Sequence, residues 1–383
     1  MRKYISKILI LFILIVFSTM VCGCWDYTEM NDVKYVAGFA VDKDKDTDEY
    51  ILTSEVLEAS ISANIIKSNI IQSRGKTIHS ALRDAIKRTG KMLQLSHAKV
   101  VIVSKDIAEQ GIVPVIDLIN RDVEVRNDMW ILVSQMSTAS EILTKSKKYD
   151  EIISYELADA IKNSNKIGKF NSIEVFKFIR DLSDKGISAT ASMVKVVKEE
   201  DKADFEVFGT AVFRKDKMIG KLSEEDTIIL QILRGKKQKF IVPIELENRE
   251  SISLEMMNVS RKVKVKKKDD KISMNMYINM DVALSELGEK DINYVSKENR
   301  GKLKKQAEKS IDKKIYNLIE KTQNEYKSDI VGFGDLLKKN KQKEWKKVSD
   351  NWNEVFKDID INVFVNINIK YSGLNKKNIK VGI

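Results

Sequence analysis

The sequence predicts an α+β protein of several domains, in which an N-terminal α/β region precedes a C-terminal antiparallel sheet packed with a long helix. In the first half, the apolar runs Ala98 to Val103 and Met129 to Val133 flank the helical stretch Ile107 to Ile119. Such alternation favours a sheet with crossover helices. In the second half, several strand-like runs precede one long periodic helix, Ser296 to Tyr326, and this segregation is the α+β pattern.

The first residues have the layout of a secretory signal peptide. Arg2, Lys3 and Lys7 form a basic segment, and the apolar run Ile8 to Phe17 follows it. A membrane-spanning helix needs roughly 20 apolar residues, and this run is shorter. We therefore expect residues 1–23 to be a cleaved signal peptide, with an uncleaved membrane anchor as the alternative.

The residues around the cleavage site predict a lipoprotein. Lipoprotein processing places a branched apolar residue three positions before the modified cysteine and a small residue directly before it. Val21 and Gly23 meet this requirement for Cys24, whereas cleavage before Cys22 would leave Val21 at the small-residue position. Cys24 is therefore the predicted lipidation site. An ordinary secreted protein with an unmodified cysteine is the alternative.

Lipidation of Cys24 would determine whether the mature chain has a free thiol and how close its folded domains lie to the membrane. With Cys22 removed and Cys24 acylated, the mature chain has no free thiol and forms no disulfide. Two or three acyl chains hold a protein far more firmly than one myristoyl chain. No Gly/Ser-rich linker separates Cys24 from the strand-like run Val33 to Val41. We expect the body to lie close to the outer face of a cytoplasmic membrane.

The mature chain is predicted to be basic. Removal of Arg2, Lys3 and Lys7 leaves +8 of the formal net charge of +11. A basic protein beside anionic lipid is electrostatically consistent. We do not expect a nucleic-acid partner, because the lysines are spread along helices and hairpins and are not interleaved with aromatic residues.

Local signals place the elements of the first half. The sequence predicts a hairpin formed by Val33 to Asp42 and Tyr50 to Leu57. It also predicts a helix over Thr77 to Arg88, which ends at Gly90. Another helix begins at Ser137, with Ser137 or Thr138 as its cap. Two further helices and a strand follow at Glu151 to Lys162, Ile173 to Leu182 and Ile187 to Val197.

A charged break at Lys198 to Ala203 marks the predicted domain border. We expect an N-terminal domain over residues 24–200, built as one or two subdomains, and a C-terminal domain over residues 205–375. The second opens with a hairpin and a helix that Ser223 caps and Gly235 ends. Further strands are expected at Phe240 to Leu246, Ser251 to Lys267, Lys271 to Leu284 and Asp360 to Tyr371.

The long helix carries an apolar stripe. Its stripe residues are spaced by three or four, and the remaining positions are rich in lysine. We expect this helix to cover a sheet and to expose its basic face. A surface for anionic lipid or for a membrane partner is the alternative. The stripe consists of Leu303, Ala307, Ile311, Ile315, Ile319, Thr322 and Tyr326.

The sequence offers no persuasive catalytic site. It has two histidines, His79 and His97, and the mature chain would have no thiol, so neither a Cys/His zinc site nor a Cys/His nucleophile is available. Nucleophile elbows, phosphate loops and calcium loops are missing from the sequence. His97 precedes a buried-looking strand, where we expect it to satisfy a hydrogen bond. The sequence therefore predicts a non-enzymatic protein without a cofactor or metal.

With these residues laid out, the chain resembles the Ger(x)C family, the lipoprotein C subunits of nutrient germinant receptors of endospore-forming bacteria. The opening resembles that family's Cys-Trp-Asp-x-x-Glu-Leu-Asn, with Met30 in place of the leucine. The matching residues follow in the family's order across nearly the full length. They are Cys24, Trp25, Asp26, Glu29, Asn31, Gly38, Asp42, Gly75-Lys76-Thr77, Ser96 to Val100, Arg121, Asp122, Arg126, Gly209 to Phe213, Gly220, Leu222, Asp329 to Gly334, Trp345, Trp352 and Gly373.

This resemblance implies a subunit that acts with the A and B membrane subunits of a germinant receptor, on the outer face of the spore inner membrane. The family has no established catalytic or ligand residues to carry over. Beyond Cys24, a partner-binding or structural role is expected for Trp25, Asp26, Glu29, Asn31, His97, Arg121 and Asp122.

Two other protein classes are weaker alternatives. A substrate-binding lipoprotein of an ABC importer would also have an acyl anchor and α/β domains, but its two lobes would be similar, whereas the halves of this sequence differ. A wall-modifying enzyme would need the catalytic residues that this sequence does not assemble.

Overall fold

The computed structural model describes residues 2–20, 32–60, 65–146, 151–199, 202–236, 239–246, 251–268, 271–286 and 297–371. Helix α1 spans Arg2–Met20, within the predicted signal peptide, and its apolar side chains from Ile8 to Leu14 are exposed. Among all the residues that the structure describes, no helix has both the length and the apolar character needed to cross a bilayer.

Nine strands of the described chain form one large mixed sheet in the order β3-β2-β1-β5-β6-β7-β8-β9, with β4 paired to the start of β1. The neighbours β1, β5, β6 and β7 run parallel, and the flanking pairs are antiparallel. The strands are β1 Val33–Lys43, β2 Tyr50–Ser60, β3 Ile65–Gly75, β4 Met92–Gln94, β5 Val100–Val103, β6 Trp130–Ser134, β7 Thr190–Glu199, β8 Lys202–Arg214 and β9 Lys217–Leu222.

The helices of the first half connect and cover these strands. The β1–β2 hairpin and the crossover from β5 to β6 follow the sequence prediction, and Gly90 ends a helix in the left-handed conformation at φ 65°. The helices are α2 Ile78–Asp84, α3 Ile86–Thr89, α4 Lys105–Gln110, α5 Val113–Arg121, α6 Ser140–Lys145, α7 Ile153–Lys162, α8 Ser164–Ile167 and α9 Val175–Ser183.

Strand β5 shows why the large sheet is apolar on both faces. Successive side chains of a strand point to opposite faces. Val101 and Val103 belong to one apolar cluster and Val100 and Ile102 to another, and all four are buried. A parallel sheet covered on both sides requires such a continuous apolar run.

The large sheet also crosses the domain border predicted between residues 200 and 205. Strand β8 begins at Lys202, inside that border, and β9 follows it, yet β8 pairs with β7 from Thr190↔Val212 to Glu199↔Lys202. The border itself stays a prediction.

The second half forms a four-stranded sheet of order β10-β11-β12-β13. Strand β12 is buried at alternate positions from Met274 to Leu284, the period of a sheet with one apolar face. The strands are β10 Ile241–Glu245, β11 Ser251–Lys268, β12 Lys271–Glu286 and β13 Asp360–Tyr371. The helices are α10 Glu224–Arg234, α11 Lys297–Glu320, α12 Phe333–Asn340, α13 Gln342–Val348 and α14 Trp352–Phe356.

One strand direction differs from the predicted antiparallel arrangement. Strands β10, β11 and β12 are antiparallel, but β13 runs parallel to β12. A parallel neighbour needs a crossover connection, and the chain between the two strands includes the long helix α11.

Helix α11 continues into a π-helical turn, Lys321–Tyr326. The predicted stripe from Leu303 to Tyr326 is buried, and its members other than Thr322 belong to the same apolar cluster as the inner face of β12. The predicted arrangement of a helix covering a sheet is therefore confirmed. Ser223 caps α10 by accepting a hydrogen bond from the N–H of Asp226, and Gly235 ends this helix, as the sequence indicates.

Two buried carboxylates of the large sheet cap helices far away in sequence. Asp42 at the end of β1 accepts hydrogen bonds from the N–H groups of Ala139 (2.6 Å) and Ser140 (2.9 Å). Glu55 in β2 accepts from those of Ile153 (3.0 Å) and Ser154 (2.8 Å). The start of α6 is thus capped by Asp42, and the predicted Ser137 or Thr138 cap is wrong.

We expect Asp42→Asn to destabilise the protein by about 1–3 kcal/mol, because an amide offers one acceptor oxygen where two N–H groups are buried. Urea unfolding of the purified protein measures this change. The control is Asp46→Asn, at an exposed position of the β1–β2 turn. Equal stability of the two variants would contradict the capping role of Asp42.

Candidate functional site

Five of the predicted site residues lie outside the described residues. These are the predicted lipidation site Cys24 and the adjoining Trp25, Asp26, Glu29 and Asn31. The description resumes at Asp32, and β1 begins at Val33. The predicted role of Cys24 therefore stays a prediction.

His97 lies at the amino ends of two neighbouring parallel strands. It closes a 3-10 turn, Leu95–His97, just before β5, and its ring packs edge-on against Tyr35 of β1 at a centroid distance of 4.6 Å. The side chain is exposed, and its Nδ1 is 3.1 Å from Ser96 Oγ. His97 thus marks one edge of the large sheet, where β4 also pairs with β1.

Arg121 and Asp122 line a groove on the surface of the first half. The groove has a volume of about 490 Å³. Arg121 Nε donates to Asp117 Oδ1 at 2.7 Å, and His79 Nδ1 lies 3.9 Å from Asp122 Oδ2. Lys76 and Thr77, which belong to a separate matching segment of the sequence, line the same groove. The fold therefore brings together two of the predicted segments, whereas His97 is not among the residues lining this groove.

The segment 328–335, here called the Asp329 loop, is organised by one buried carboxylate. Asp329 Oδ1 accepts from the N–H of Gly332 at 2.8 Å, and Oδ2 accepts from the N–H of Gly334 at 2.8 Å and from Trp352 Nε1 at 3.1 Å. Burial raises the pKa of Asp329 to about 6, although these hydrogen bonds act in the opposite direction. The sequence by itself indicates only a break and a matching motif in this segment.

The Asp329 loop joins the two halves of the molecule. Asp329 O accepts from the N–H of Ser188 at 2.8 Å, and Ser328 Oγ lies 2.9 Å from the carbonyl oxygen of Phe213 in β8. A Cβ on Gly334 would lie 2.6 Å from the Cα of Gly186. Glycine at 334 is therefore required for the close approach of the two backbones.

Cationic side chains converge beside this loop. Arg234 donates to Ile330 O at 2.9 and 2.6 Å, to Asn171 Oδ1 at 3.1 Å and to Thr190 Oγ1 at 3.1 Å. Lys236 Nζ donates to the same Asn171 oxygen at 3.1 Å. Burial lowers the pKa of Arg234 to about 10 and that of Lys236 to about 7.

This convergence could not be read from the sequence. Arg234 and Lys236 flank Gly235 at the end of α10, and basic residues there are typical of an ordinary helix terminus. Their partners come from distant segments of both halves.

A cavity of about 590 Å³, here called the junction cavity, adjoins these cations. Its walls come from both halves of the molecule. The lining residues are Trp130, Ser172, Ile173, Lys177, Arg180, Asp181, Ile187, Arg234, Lys236, Arg261, Val331, Gly332, Asp335, Leu336 and Lys339.

The described residues contain no group of three or more histidine, cysteine, aspartate or glutamate side chains placed to hold a metal ion. The groove and the junction cavity have both polar and apolar walls, and Asp117 and Asp181 in their linings are held in ion pairs with Arg121 and Arg180.

Residues 26–196 match the family model described as "Spore germination protein N-terminal domain". Residues 208–373 match the model described as "Spore germination B3/ GerAC like, C-terminal".

Individual relatives cover nearly the whole chain. YfkR of Bacillus subtilis (strain 168), a protein named for spore germination, is 26% identical over 99% of this chain and 100% of its own length. Spore germination protein B3 of the same organism is 24% identical over 96% and 98%. The crystal structure of the GerBC protein aligns with a TM-score of 0.56 at 20% identity, covering 87% of this chain and 97% of that one. This last match shows a shared fold.

We expect Asp329→Ala to destabilise the protein by roughly 3–5 kcal/mol, because it leaves two backbone N–H groups and one indole N–H unpaired in a buried site. Thermal and urea unfolding measure the change. The control is Asp350→Ala, which removes an exposed ion pair with Lys185 and should change the stability little, because water screens such pairs. A variant at 329 as stable as this control would refute the role of the carboxylate.

The pH dependence provides a second readout of the same variant. Folding raises the pKa of Asp329 from 3.8 to about 6, so the native state holds this proton over a range where the unfolded state has lost it. The contribution of Asp329 to stability therefore falls as the pH rises through that range, and Asp329→Ala removes this component.

Proposed function

The chain belongs to the Ger(x)C family of spore germination proteins, and from this premise we propose that it is the lipid-anchored C subunit of a nutrient germinant receptor. The observation that carries the proposal is the pair of family matches at residues 26–196 and 208–373. The first match begins two residues after Cys24, the predicted acylation site. Homologues with named germination roles cover the same length. In this role the protein is a non-enzymatic component of a membrane complex.

The anchor would hold the large sheet near the lipid. Nine residue steps separate Cys24 from Val33, and an extended chain spans at most about 3.3–3.6 Å per residue, or roughly 30 Å in total. The start of β1 therefore lies within about 30 Å of the acylated sulfur. We place the protein on the outer face of the spore inner membrane in this orientation.

One edge of the large sheet then faces the bilayer or the subunits embedded in it. This amino edge consists of the start of β1, the short strand β4 and the residues just before β5, which include His97. Strands β1 and β5 are parallel and in register, so their amino ends lie together. We propose that the A and B membrane subunits contact the amino edge, where the protein clamps or gates them.

The topology of the two halves supports this function over that of an importer's binding protein. The first half is a nine-stranded mixed sheet, and the second is a four-stranded sheet covered by α11. A cleft between two similar lobes is the expected form of an importer's substrate-binding lipoprotein, and these two halves differ in strand number and order.

We expect Cys24→Ala to release the protein from membranes and to impair nutrient-triggered germination, because the acyl chains can no longer be attached. Membrane fractionation and metabolic labelling with palmitate measure anchoring, and spore germination assays measure function. Cys22→Ala is a matched control, since that residue is predicted to leave with the signal peptide. Unchanged fractionation of Cys24→Ala would contradict the anchor.

The orientation is tested with a photo-reactive amino acid placed at Lys91, an exposed position next to β4. We expect crosslinks from this position to lipid or to a membrane subunit, because it lies on the amino edge. The control position is Lys45, in the exposed turn at the other end of β1. Crosslinking that is equal at both positions, or stronger at Lys45, would overturn the orientation.

A further inference from the structure

We propose that the junction cavity binds a small organic anion, a molecule with a carboxylate or phosphate group on an apolar body. The inference rests on the charges, the walls and the position of the cavity, and it is independent of the germinant receptor assignment.

The charge of the cavity is unbalanced. Six cationic side chains line it, against the two carboxylates of Asp181 and Asp335. Part of this charge is neutralised within the protein, because Arg180 pairs with Asp181 at 2.7 Å and Lys177 pairs with Glu174. Lys339 is exposed at the rim, where water stabilises its charge.

The three inner cations have weaker neutralisation, which comes from the more distant carboxylates of Asp181, Asp329 and Asp335. Within the described residues, no carboxylate lies within 4 Å of Arg234, Lys236 or Arg261, whose hydrogen bonds go to neutral oxygens of Ile330, Thr190, Asn171 and Leu233. Burying a charge is costly unless it is paired, and neighbouring like charges add repulsion. An anion placed among these groups would offset both costs.

The remaining walls suit the organic part of such a molecule. Trp130, Ile173, Ile187, Val331 and Leu336 contribute apolar surface to the cavity. A volume of about 590 Å³ is in the usual range for small-molecule sites, which are mostly apolar with a few converging polar groups. Inorganic ions alone would leave this apolar surface uncovered.

The position of the cavity gives binding a structural consequence. Trp130, Ile173 and Arg180 come from the first half, whereas Arg234, Arg261 and Val331 come from the second. A ligand that contacts both groups stabilises the junction in its present arrangement. It would therefore slow local opening of the Asp329 loop.

The test uses the full-length, detergent-solubilised protein with benzoate and phenyl phosphate as probes, in isothermal titration calorimetry at constant ionic strength. We expect saturable binding of at least one probe. Lys236→Gln and Arg261→Gln should each weaken it at least tenfold, because each removes an inner cation. Lys262→Gln is the matched control: it removes an adjacent, exposed cation of the same strand and should leave the affinity unchanged.

Two further experiments identify the source of the anion and test the effect of binding on the Asp329 loop. Micelles containing phosphatidylglycerol distinguish a lipid headgroup from a free anion: competition with the probes identifies the headgroup as an occupant of the same site, and failure to compete identifies a soluble anion. Hydrogen exchange of the wild type needs no variant and should slow over residues 328–335 when the probe is bound. Absence of saturable binding, equal loss of affinity in Lys262→Gln, or unchanged exchange at saturation would overturn the proposal.

Discussion

The carboxylate of Asp329 is the interaction on which the arrangement of the two halves depends. It fixes the backbone of its own loop through Gly332 and Gly334 and holds the indole of Trp352. The loop in turn meets Ser188 and the backbone of Gly186 from the first half. A buried charge is tolerated here because three donors surround it. The surfaces of both halves are thereby placed in one fixed relation.

The sequence predicts those elements whose signals are local. The Ser223 cap and Gly235 stop of α10, the apolar stripe of α11 and the β1–β2 hairpin all depend on residues that are close together in the chain, and each is present. The alternation of strands and helices in the first half also predicts the parallel core of the large sheet. Such periodic patterns determine which face of an element is buried.

Features that depend on distant residues were not predicted. Asp42 caps α6 from 97 positions away, so no local pattern around Ser137 reveals it. The parallel direction of β13 follows from the route of the chain through α11, which strand periodicity does not encode. The matching segments at Lys76 and Arg121 form one groove only after α2 and α5 pack together. The junction cations are likewise assembled by the tertiary fold, whereas the predicted role of Cys24 rests on sequence alone.

The parallel pairing of β13 with β12 has a consequence for how the protein folds. The two strands pair from Ser273↔Asp360 to Ala283↔Tyr371, so contacts across this pair close a long stretch of chain. Such non-local pairing is entropically costly early in folding and slows the reaction. Until the last strand is added, one side of β12 presents unpaired backbone groups, which is the arrangement most prone to intermolecular association. We therefore expect this sheet to be completed late in folding, and we expect a nascent or truncated chain to be prone to aggregation at β12.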